Sequence, residues 1–223
     1  MERGLQKDVA YRGDLLARYT GPVCRQCRRA GQKLFIKGER CLTPKCAIER
    51  RRSTPGEQPQ RRRRLSEWGT QLREKQKARQ MYGVLEKQFR KHYDEAKRRS
   101  GLTGENLLQI LESRLDNIVY RLGFADSRAQ ARQLVQHGHI TVDGRKTNIP
   151  SYLVQPEQTL GWTDRGQRSE YYSIVTQEIQ KRTPASWVTL DLTAMQGKVI
   201  GLPERSEIDS RIDERLIVEF YSR

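Results

Sequence analysis

Apolar residues recur every three or four positions through the middle of the chain, a period that predicts amphipathic helices. The first helical stretch covers residues 65–99, and Gly83 marks a break or a bend within it. A second helix is predicted over residues 105–121, after a turn at 102–104. Its apolar stripe leaves another face free, which carries Arg114, Asn117 and Arg121.

The pattern then predicts a shorter helix that begins after Ser127. Gln130 follows this serine by three residues, which gives the pair the form of a capping box. Arg128 and Arg132 stand four residues apart and are expected to face outward from the helix.

Runs of β-branched and aromatic residues in the second half of the chain predict strands, so the fold class is α+β. Asp143-Gly144 is the tight turn of a hairpin whose return strand begins at Arg145-Lys146. The other predicted elements are a strand at Ile140–Val142, a helix at 171–181, and strands at 187–190 and 216–221 that pair with the hairpin or with each other.

Charge is distributed unevenly along the 223 residues, whose net charge is +16. Residues 1–64 carry 18 Lys and Arg against 6 Asp and Glu, whereas residues 155–223 carry 9 against 11. The N-terminal half therefore suits a polyanion, and the C-terminal segment suits a protein surface. Nucleic acid is favoured over a membrane, because the basic runs lack a strongly amphipathic apolar stripe and no apolar run approaches the roughly 20 residues of a membrane span.

Helix, turn, helix and hairpin together are predicted to display arginines on exposed faces. Arginines arranged on two helices and a hairpin can contact the phosphates and 2′-hydroxyls of the wide RNA minor groove. The alternative is that these arginines form ion pairs within the protein, with Glu112 or Asp116 as their partners.

Four cysteines lie close together in the most basic part of the chain, at Cys24, Cys27, Cys41 and Cys46. Cys-x2-Cys followed by Cys-x4-Cys predicts one tetrahedral zinc ion with a structural role, because no ligand position is left for water. Two disulfides are not expected, since no secretory leader is recognised ahead of them; free thiols and an iron–sulfur cluster are further alternatives. The cations interleaved with the cysteines are Arg25, Arg28, Arg29, Lys33, Lys37, Arg40 and Lys45.

Two arginine runs follow the cysteines, at residues 50–52 and 61–64. Such runs bury no core and repel themselves when free. They form either a disordered linker or a segment that becomes ordered on RNA. The second is favoured because guanidinium groups bind phosphates bidentately.

These patterns predict a structural RNA-binding protein. Cations of the linker and the first helix would neutralise phosphates, and polar side chains of the later helices and the hairpin would recognise RNA shape. The candidate RNA contacts are Arg51, Arg52, Arg61, Arg62, Arg63, Arg64, Arg73, Lys75, Lys77, Arg79, Arg114, Asn117, Arg121, Ser127, Arg128, Arg132 and Arg145.

Several blocks of the sequence resemble those of one ribosomal family. The blocks are LSE at 65–67, QLREKQK at 71–77, YGVLEKQF at 82–89, TGENLL at 103–108, RLDNIVYR at 114–121, RAQARQLV at 128–135 and NIPSY at 148–152. With the cysteine pattern and the ending at 216–223, they make residues 17–223 similar to the bacterial small-subunit ribosomal protein S-four family, in its zinc-knuckle form.

This resemblance implies a structural component of the cytoplasmic ribosome. Members bind the 5′ domain of small-subunit rRNA early in assembly, through the helix-turn-helix-hairpin as an RNA-binding module. They lie near the mRNA entry channel and touch the fifth protein of the small-subunit series. The C-terminal part is tied to decoding accuracy through that contact, and many members repress their own messenger.

The chain departs from the family pattern at three places. The family opening Met-Ala-Arg-Tyr-Thr-Gly-Pro is in register with residues 16–22, where Leu16 takes the initiator position. Residues 1–16 are therefore expected to be a tail, or residues 1–15 to lie upstream of a true start at position 16. The linker at 55–60 lacks the family's Gly-Gln-His-Gly and offers no histidine there for an rRNA contact, and Trp68 replaces a tyrosine.

The expected layout places an inserted RNA-binding module between a helical region and a small C-terminal sheet. Its parts are the tail at 1–16, a zinc knuckle at 17–50, a basic linker at 51–64, a helical region at 65–111, the module at 112–154 and a mixed segment at 155–223 that packs on the body.

Two other classes of protein compete with this interpretation. The same module is attached to RNA-modifying enzymes, and Arg114-Leu115-Asp116 resembles the motif that carries a pseudouridine synthase nucleophile. An enzyme is disfavoured, because the roughly 70 residues after the module are too few for a typical catalytic domain and no phosphate-cradling glycine loop is found. A free-standing RNA chaperone or ribosome-rescue factor is disfavoured by the long family blocks.

Overall fold

A computed structural model describes residues 19, 21–56, 65–208 and 211–223. The predictions for residues 1–16 and for Arg61 to Arg64 lie outside these residues. The helices are α1 (Cys24–Ala30), α2 (Ala47–Arg50), α3 (Glu67–Met81), α4 (Glu86–Arg98), α5 (Thr103–Glu112), α6 (Leu115–Arg121), α7 (Arg128–Gln136), α8 (Asp164–Gln167), α9 (Glu170–Glu178) and α10 (Glu214–Ser222). The strands are β1 (Ile140–Val142), β2 (Arg145–Lys146), β3 (Thr159–Trp162), β4 (Val188–Asp191) and β5 (Gln196–Val199), with 3-10 turns at Gly38–Cys41, Ile179–Lys181 and Arg205–Glu207. None of the described helices is long and apolar enough to cross a membrane.

Helices α3 and α4 confirm the prediction for residues 65–99, with a break around Gly83. Ser66 starts α3 by accepting a hydrogen bond from the backbone N–H of Gly69 at 3.2 Å. Helix α4 turns Phe89 and Tyr93 inward, and its exposed face is charged.

The single helix predicted over residues 105–121 is wrong, because the chain breaks between α5 and α6. Arg114 at the break has an extended backbone, and the segment around Tyr152 runs alongside it. Leu115 N–H donates to Tyr152 C=O at 2.8 Å, and Val154 N–H donates to Ser113 C=O at 2.9 Å. These bonds satisfy the backbone groups that the break exposes. The apolar period continues across the break, so the pattern alone does not show it.

The strands form one antiparallel sheet in the order β2-β1-β3-β5-β4. The predicted hairpin joins β1 to β2, and the predicted strand at 187–190 is β4. At the hairpin turn Asp143 and Gly144 have φ angles of 49° and 75°, which is the left-handed pair that a tight two-residue turn requires. The predicted helix at 171–181 is α9 followed by a 3-10 turn.

The strand predicted at 216–221 is wrong, because this segment forms α10. Asp213 caps the helix by accepting from Arg215 N–H at 3.1 Å. One face is buried: Ile217 lies in the helical core, and Tyr221 stacks on Tyr93 with ring centroids 4.7 Å apart. Burial of this face against α3 and α5 overrides the β-propensity of the sequence.

Two hydrophobic cores adjoin at the α5–α6 break. One core contains α6, α7, the sheet and α9. The other contains α3, α4, α5 and α10, together with Cys27 and Leu34 of the cysteine-bearing segment. The helical region and the module are therefore packed side by side, and the polar residues at the break lie between them.

Candidate nucleic-acid interface

Glu112, at the end of α5, is the centre of a buried polar network. Its fully buried carboxylate accepts hydrogen bonds from the Tyr82 hydroxyl at 2.7 Å, from Asn117 Nδ2 at 2.6 Å, and from Arg121 through two nitrogens at 2.6 and 2.8 Å. Burial alone raises the pKa of Glu112, but the bonds and charge of Arg121, with the charge of Arg128, outweigh it and hold the pKa below its usual value. The prediction that Asn117 and Arg121 stand on a free face is wrong: Asn117 is 1% exposed and Arg121 is bound to Glu112.

Arg128 belongs to the same network. Its Nε donates to Asn117 Oδ1 at 2.7 Å, and its guanidinium lies over the rings of Tyr82 and Tyr120, 4.8 and 4.7 Å from their centroids. A terminal nitrogen is 3.8 Å from the Glu112 carboxylate, and only 12% of the side chain is exposed. The outward orientation predicted for Arg128 is therefore wrong. The side chain points inward because it interacts with Glu112, which is the alternative of an internal ion pair.

A second buried pair lies at the α5–α6 break. Arg114 is 2% exposed, and two of its nitrogens donate hydrogen bonds to the Asp116 carboxylate at 3.1 and 2.8 Å. Arg132 approaches the same carboxylate at 3.4 Å, and Arg114 also donates to His92 Nε2 at 3.4 Å. The exposed position predicted for Arg114 is wrong, because its charge is used inside the protein. Arg132, 22% exposed, is held at the edge of this pair.

Acid is expected to weaken the fold through His92. Burial, and then the charges of Arg114 and Lys91, lower the pKa of His92 from 6.5 to about 4. The unfolded chain therefore takes up a proton before the folded chain does. The free energy of unfolding should fall as pH drops below about 6.5, and the loss of about 3–4 kcal/mol should be complete below about pH 4.

Urea denaturation across this pH range measures the effect. His92→Gln removes the titrating group and is expected to flatten the fall in stability. Lys87→Gln, on the exposed face of the same helix, should keep the wild-type profile. A His92→Gln profile as steep as that of the wild type would contradict the assignment.

The cations predicted to line α3 are mostly held by carboxylates. Lys75 and Lys77 are only 4% and 7% exposed. Lys75 is 2.7 Å from Glu86 and Lys77 is 2.5 Å from Glu74, while Arg79 lies 3.8 Å from Glu86. The charge of these lysines is thus neutralised within the helical region, and their contact with phosphates stays a prediction.

Ser127 has a local structural role. Its Oγ accepts from Gln130 N–H at 3.3 Å and so caps α7. The Gln130 side chain reaches back to the N–H of Asp126 at 2.9 Å, one residue before the position that a capping box uses. The predicted cap is confirmed, and its reciprocal bond is shifted by one residue.

Four of the predicted contacts in the described part of the chain remain free to meet a polyanion. Arg51, Arg52, Arg73 and Arg145 are exposed, and no ion pair within the described residues involves them. They stand in the segment after α2, on α3 and on β2. Among the described residues, the cations that stay available are thus fewer than the sequence predicts, and they come from separate elements.

The four cysteines surround one small cavity. Cys24 and Cys27 are one turn apart on α1, Cys41 ends a 3-10 turn, and Cys46 precedes α2. Cys41 Sγ accepts from Lys37 N–H at 3.4 Å. Burial, and secondarily the neighbouring cysteines, raise the pKa of the Cys27 thiol, and burial likewise raises that of Cys41.

The sulfurs are less tightly grouped than the ligands of a bound zinc ion. Zinc–sulfur bonds of about 2.3 Å place tetrahedral sulfurs about 3.8 Å apart. Within the described residues, no three of the cysteine sulfurs lie within 4.8 Å of one another. The potential ligand atoms that do meet this distance belong to Glu39, Asp126 and Glu178. The last two of these carboxylates are paired with Arg182.

A group of basic side chains that the sequence did not single out lies at the end of α7. His137 and His139 have ring centroids 6.1 Å apart, and the charges of Lys146 and Arg165 act on His139. His137 and His139 are two residues apart in the turn between α7 and β1, whereas Lys146 is on β2 and Arg165 is on α8. The folded sheet and α8 bring the lysine and the arginine to this turn, and no sequence spacing shows that.

Two family models match adjoining parts of the chain. The ribosomal protein S4/S9 N-terminal domain matches residues 18–112, and the S4 domain matches residues 113–160. The second match begins at the α5–α6 break and ends within β3. It therefore contains α6, α7 and the hairpin.

Relatives match almost the whole chain. Small ribosomal subunit protein uS4 of Pelotomaculum thermopropionicum is 53% identical over 208 residues, which are 93% of this chain and 100% of that protein. The uS4 protein of Halothermothrix orenii gives the same figures, and that of Desulfitobacterium hafniense is 54% identical over 209 residues with the same coverage.

The chain belongs to the uS4 family of small ribosomal subunit proteins. This confirms the family resemblance, and since uS4 proteins are structural ribosomal proteins, the chain is not an enzyme. The Asp116 carboxylate, whose motif resembles that of a synthase nucleophile, is bound by two arginines. In this uS4 chain, the arginines of the S4 domain closest to the break hold the domain against the helical region.

Proposed function

We propose that the chain is a primary rRNA-binding protein that binds the 5′ domain of small-subunit rRNA and acts in the ribosome, in the bacterial cytoplasm. Family membership supports the ribosomal role. The net charge of +16, concentrated before residue 65, supports a polyanionic partner. The free-standing RNA chaperone remains the competing class.

The observation that carries the proposal is the division of the arginines into two sets. Arg114, Arg121 and Arg128 are paired with buried carboxylates, and the contacts of Arg121 and Arg128 with Glu112 join the S4 domain to the helical region. Arg51 and Arg145 stand exposed without such partners. A protein that fixes its domains internally presents its free cations in a constant arrangement, which suits RNA of defined shape.

We also propose that Cys24, Cys27, Cys41 and Cys46 hold one structural zinc ion. The support is the donor set, because four thiols share one cavity and zinc accepts four thiolates. Burial disfavours the thiolate forms, so a divalent cation at this place would offset their charge and favour a shorter sulfur spacing. The ion would give the knuckle the rigidity that its small apolar content does not supply.

The C-terminal segment is proposed to contact the fifth protein of the small subunit and so to influence decoding accuracy. Leu192, Ile200 and Leu202 are exposed apolar residues on or beside β4 and β5, and they offer surface of the kind that a protein partner covers. A position near the mRNA entry channel and repression of the chain's own messenger are proposed from the family resemblance.

Neutralising the exposed cations tests the RNA proposal. Replacing Arg51, Arg52 and Arg145 with glutamine is expected to weaken binding to the 5′ domain and to reduce the slope of log K against log salt by about 0.7–0.9 for each lost phosphate contact. Arg98→Gln, an exposed arginine that lies beside Glu95 on α4, is the matched control and should change neither quantity. Equal effects of the triple variant and the control would contradict the proposal.

A further inference from the structure

Four basic side chains form a cluster on the S4-domain side of the sheet, which we call the His139 cluster. Its members are His137, His139, Lys146 and Arg165. His139 precedes β1, Lys146 is on β2 and Arg165 is on α8, while His137 follows α7. The two histidines share the turn between α7 and β1, and the folded sheet and α8 bring Lys146 and Arg165 to that turn.

Backbone contacts fix the cluster in place. The Thr163 hydroxyl donates to Gly138 C=O at 3.1 Å, and Thr163 N–H donates to His139 C=O at 2.9 Å. The start of α8 is therefore bound to the turn that carries both histidines. Arg165 follows two residues later.

Gly138 allows the lysine to reach this turn. It has a φ angle of +72°, and a Cβ there would collide with the stem of Lys146 and lie 3.1 Å from its Nζ. The side chain of Lys146 thus crosses the turn between His137 and His139. Any larger residue at position 138 would displace it.

Positive charge at the cluster is not balanced by the protein. No ion pair within the described residues joins any of its four members to a carboxylate. Asp143, in the neighbouring hairpin turn, is hydrogen-bonded to Thr159 and Gln158 instead. Asp164, beside Arg165, is exposed at the start of α8, and Arg145 on β2 adds a further positive charge.

His139 is the polar group left without a partner. Its Nδ1 is buried and has no hydrogen-bond partner. Burial, and then the charges of His137, Arg165 and Lys146, lower the pKa of His139. The rest of the His139 ring is only partly buried, and His137, Lys146 and Arg165 are exposed, so the cluster is open to an anion from solvent.

We propose that the His139 cluster binds a backbone phosphate of the RNA, with Lys146 and Arg165 as fixed charges and the two histidines as protonatable donors. This proposal rests on the rRNA-binding function proposed above and names one subsite within it. A phosphodiester supplies one negative charge and several acceptor oxygens, which match an ammonium, a guanidinium and two imidazoles.

The subsite makes binding depend on pH. In the free protein the surrounding cations oppose protonation of His139, whereas a bound phosphate favours it. RNA binding is therefore accompanied by proton uptake. Affinity rises as pH falls through the histidine range, because the bound state holds more protons than the free state.

The experiment measures binding of the full chain to a 5′-domain rRNA fragment at about pH 6 and about pH 8, at constant ionic strength. The wild type is expected to bind at least about threefold more tightly at the lower pH, beyond any change in the double variant His137→Gln/His139→Gln. Lys146→Gln should weaken binding at both pH values. Lys97→Gln, an exposed lysine of α4, is the control and should match the wild type.

Calorimetry in two buffers of different ionisation enthalpy counts the protons taken up on binding. The wild type should take up protons at the lower pH, and the double variant should take up fewer. His137→Gln alone, at an exposed position, gives the same comparison if the double variant folds poorly.

The outcomes separate the two proposals. Equal pH dependence and equal proton uptake in wild type and histidine variants, with rRNA binding intact, would overturn the subsite and leave the proposed function standing. Failure of the wild type to prefer the rRNA fragment at either pH would overturn the proposed function and the subsite together.

Discussion

Replacing Glu112 with alanine is expected to lower the free energy of unfolding by about 3–5 kcal/mol. The carboxylate accepts from Tyr82, Asn117 and Arg121 in a fully buried position. Removal leaves two buried donors and one buried positive charge without an acceptor. Such unpaired groups cost much more than the lost bonds themselves.

The effect should extend across the α5–α6 break. Arg128 depends on Asn117 for its best hydrogen bond, and Asn117 also donates to the backbone C=O of Glu112 at 2.9 Å. Loss of the carboxylate therefore loosens α7 as well as α6. The helical region and the S4 domain would keep their own cores but lose the polar contacts between them.

Chemical denaturation, with the free energy extrapolated to water, measures this change. Glu95→Gln is the matched control, because Glu95 is on the surface of α4 and lies 3.7–3.8 Å from Arg98 and Arg99. Its expected effect is within about 0.5 kcal/mol. A loss below about 1 kcal/mol in Glu112→Ala would show that the network does not hold the two regions together.

Replacing Cys24 with serine is expected to abolish binding of the proposed zinc ion and to unfold the knuckle locally. Structural zinc contributes about 10–16 kcal/mol of binding free energy in small zinc-finger peptides, so a segment that depends on it loses its structure when one ligand is removed. The S4 domain should stay folded, because its core does not include the knuckle.

The knuckle contacts both the helical region and the S4 domain. Its unfolding is therefore expected to affect the parts of those regions that it contacts. Leu34 and Cys27 belong to the helical core, and a Cβ on Gly38 would lie 2.7 Å from the Asp126 backbone oxygen. Some loosening of α3 is therefore expected. Part of the RNA affinity should survive through the S4 domain.

Zinc content by elemental analysis and amide hydrogen exchange measure this prediction. Exchange should accelerate in residues 24–50 and stay slow in residues 115–146. Thr43→Ala, an exposed position between the cysteine pairs, is the control and should keep the metal. An equal zinc content in Cys24→Ser and wild type, or unfolding of the S4 domain in the variant, would contradict the account.

The sequence predicts those elements whose local signals agree with their packing. The hairpin was predictable because Asp143-Gly144 favours the left-handed pair of angles that the turn adopts. Helix α7 was predictable because Ser127 supplies a cap and the apolar residues follow the helical period.

The errors arise where tertiary contacts decide. The break at Arg114 is stabilised by a segment that lies far along the chain, around Tyr152, and the apolar period runs through it unchanged. Helix α10 is rich in β-branched and aromatic residues, and its burial against α3 and α5 overrides that preference. Asp213 as a cap was the local signal for the helix.

In the candidate site, the sequence likewise does not show which charged side chains are paired within the protein. Composition counts arginines without showing which ones have carboxylate partners. Glu112 and Asp116 could be named as partners from the sequence, but their burial depends on how α5 and α6 pack. In the His139 cluster the sequence shows only the pair His137 and His139, since Lys146 and Arg165 come from elements that the fold brings to their turn.

The most direct test of the central claim is a salt titration of binding to the 5′ domain of small-subunit rRNA, compared with a base-paired RNA of equal length. The account predicts that the 5′ domain is preferred by about a hundredfold or more, and that this preference survives at physiological salt. Equal binding to both RNAs, lost together as salt rises, would contradict it and would favour a chaperone that coats RNA without recognising its shape.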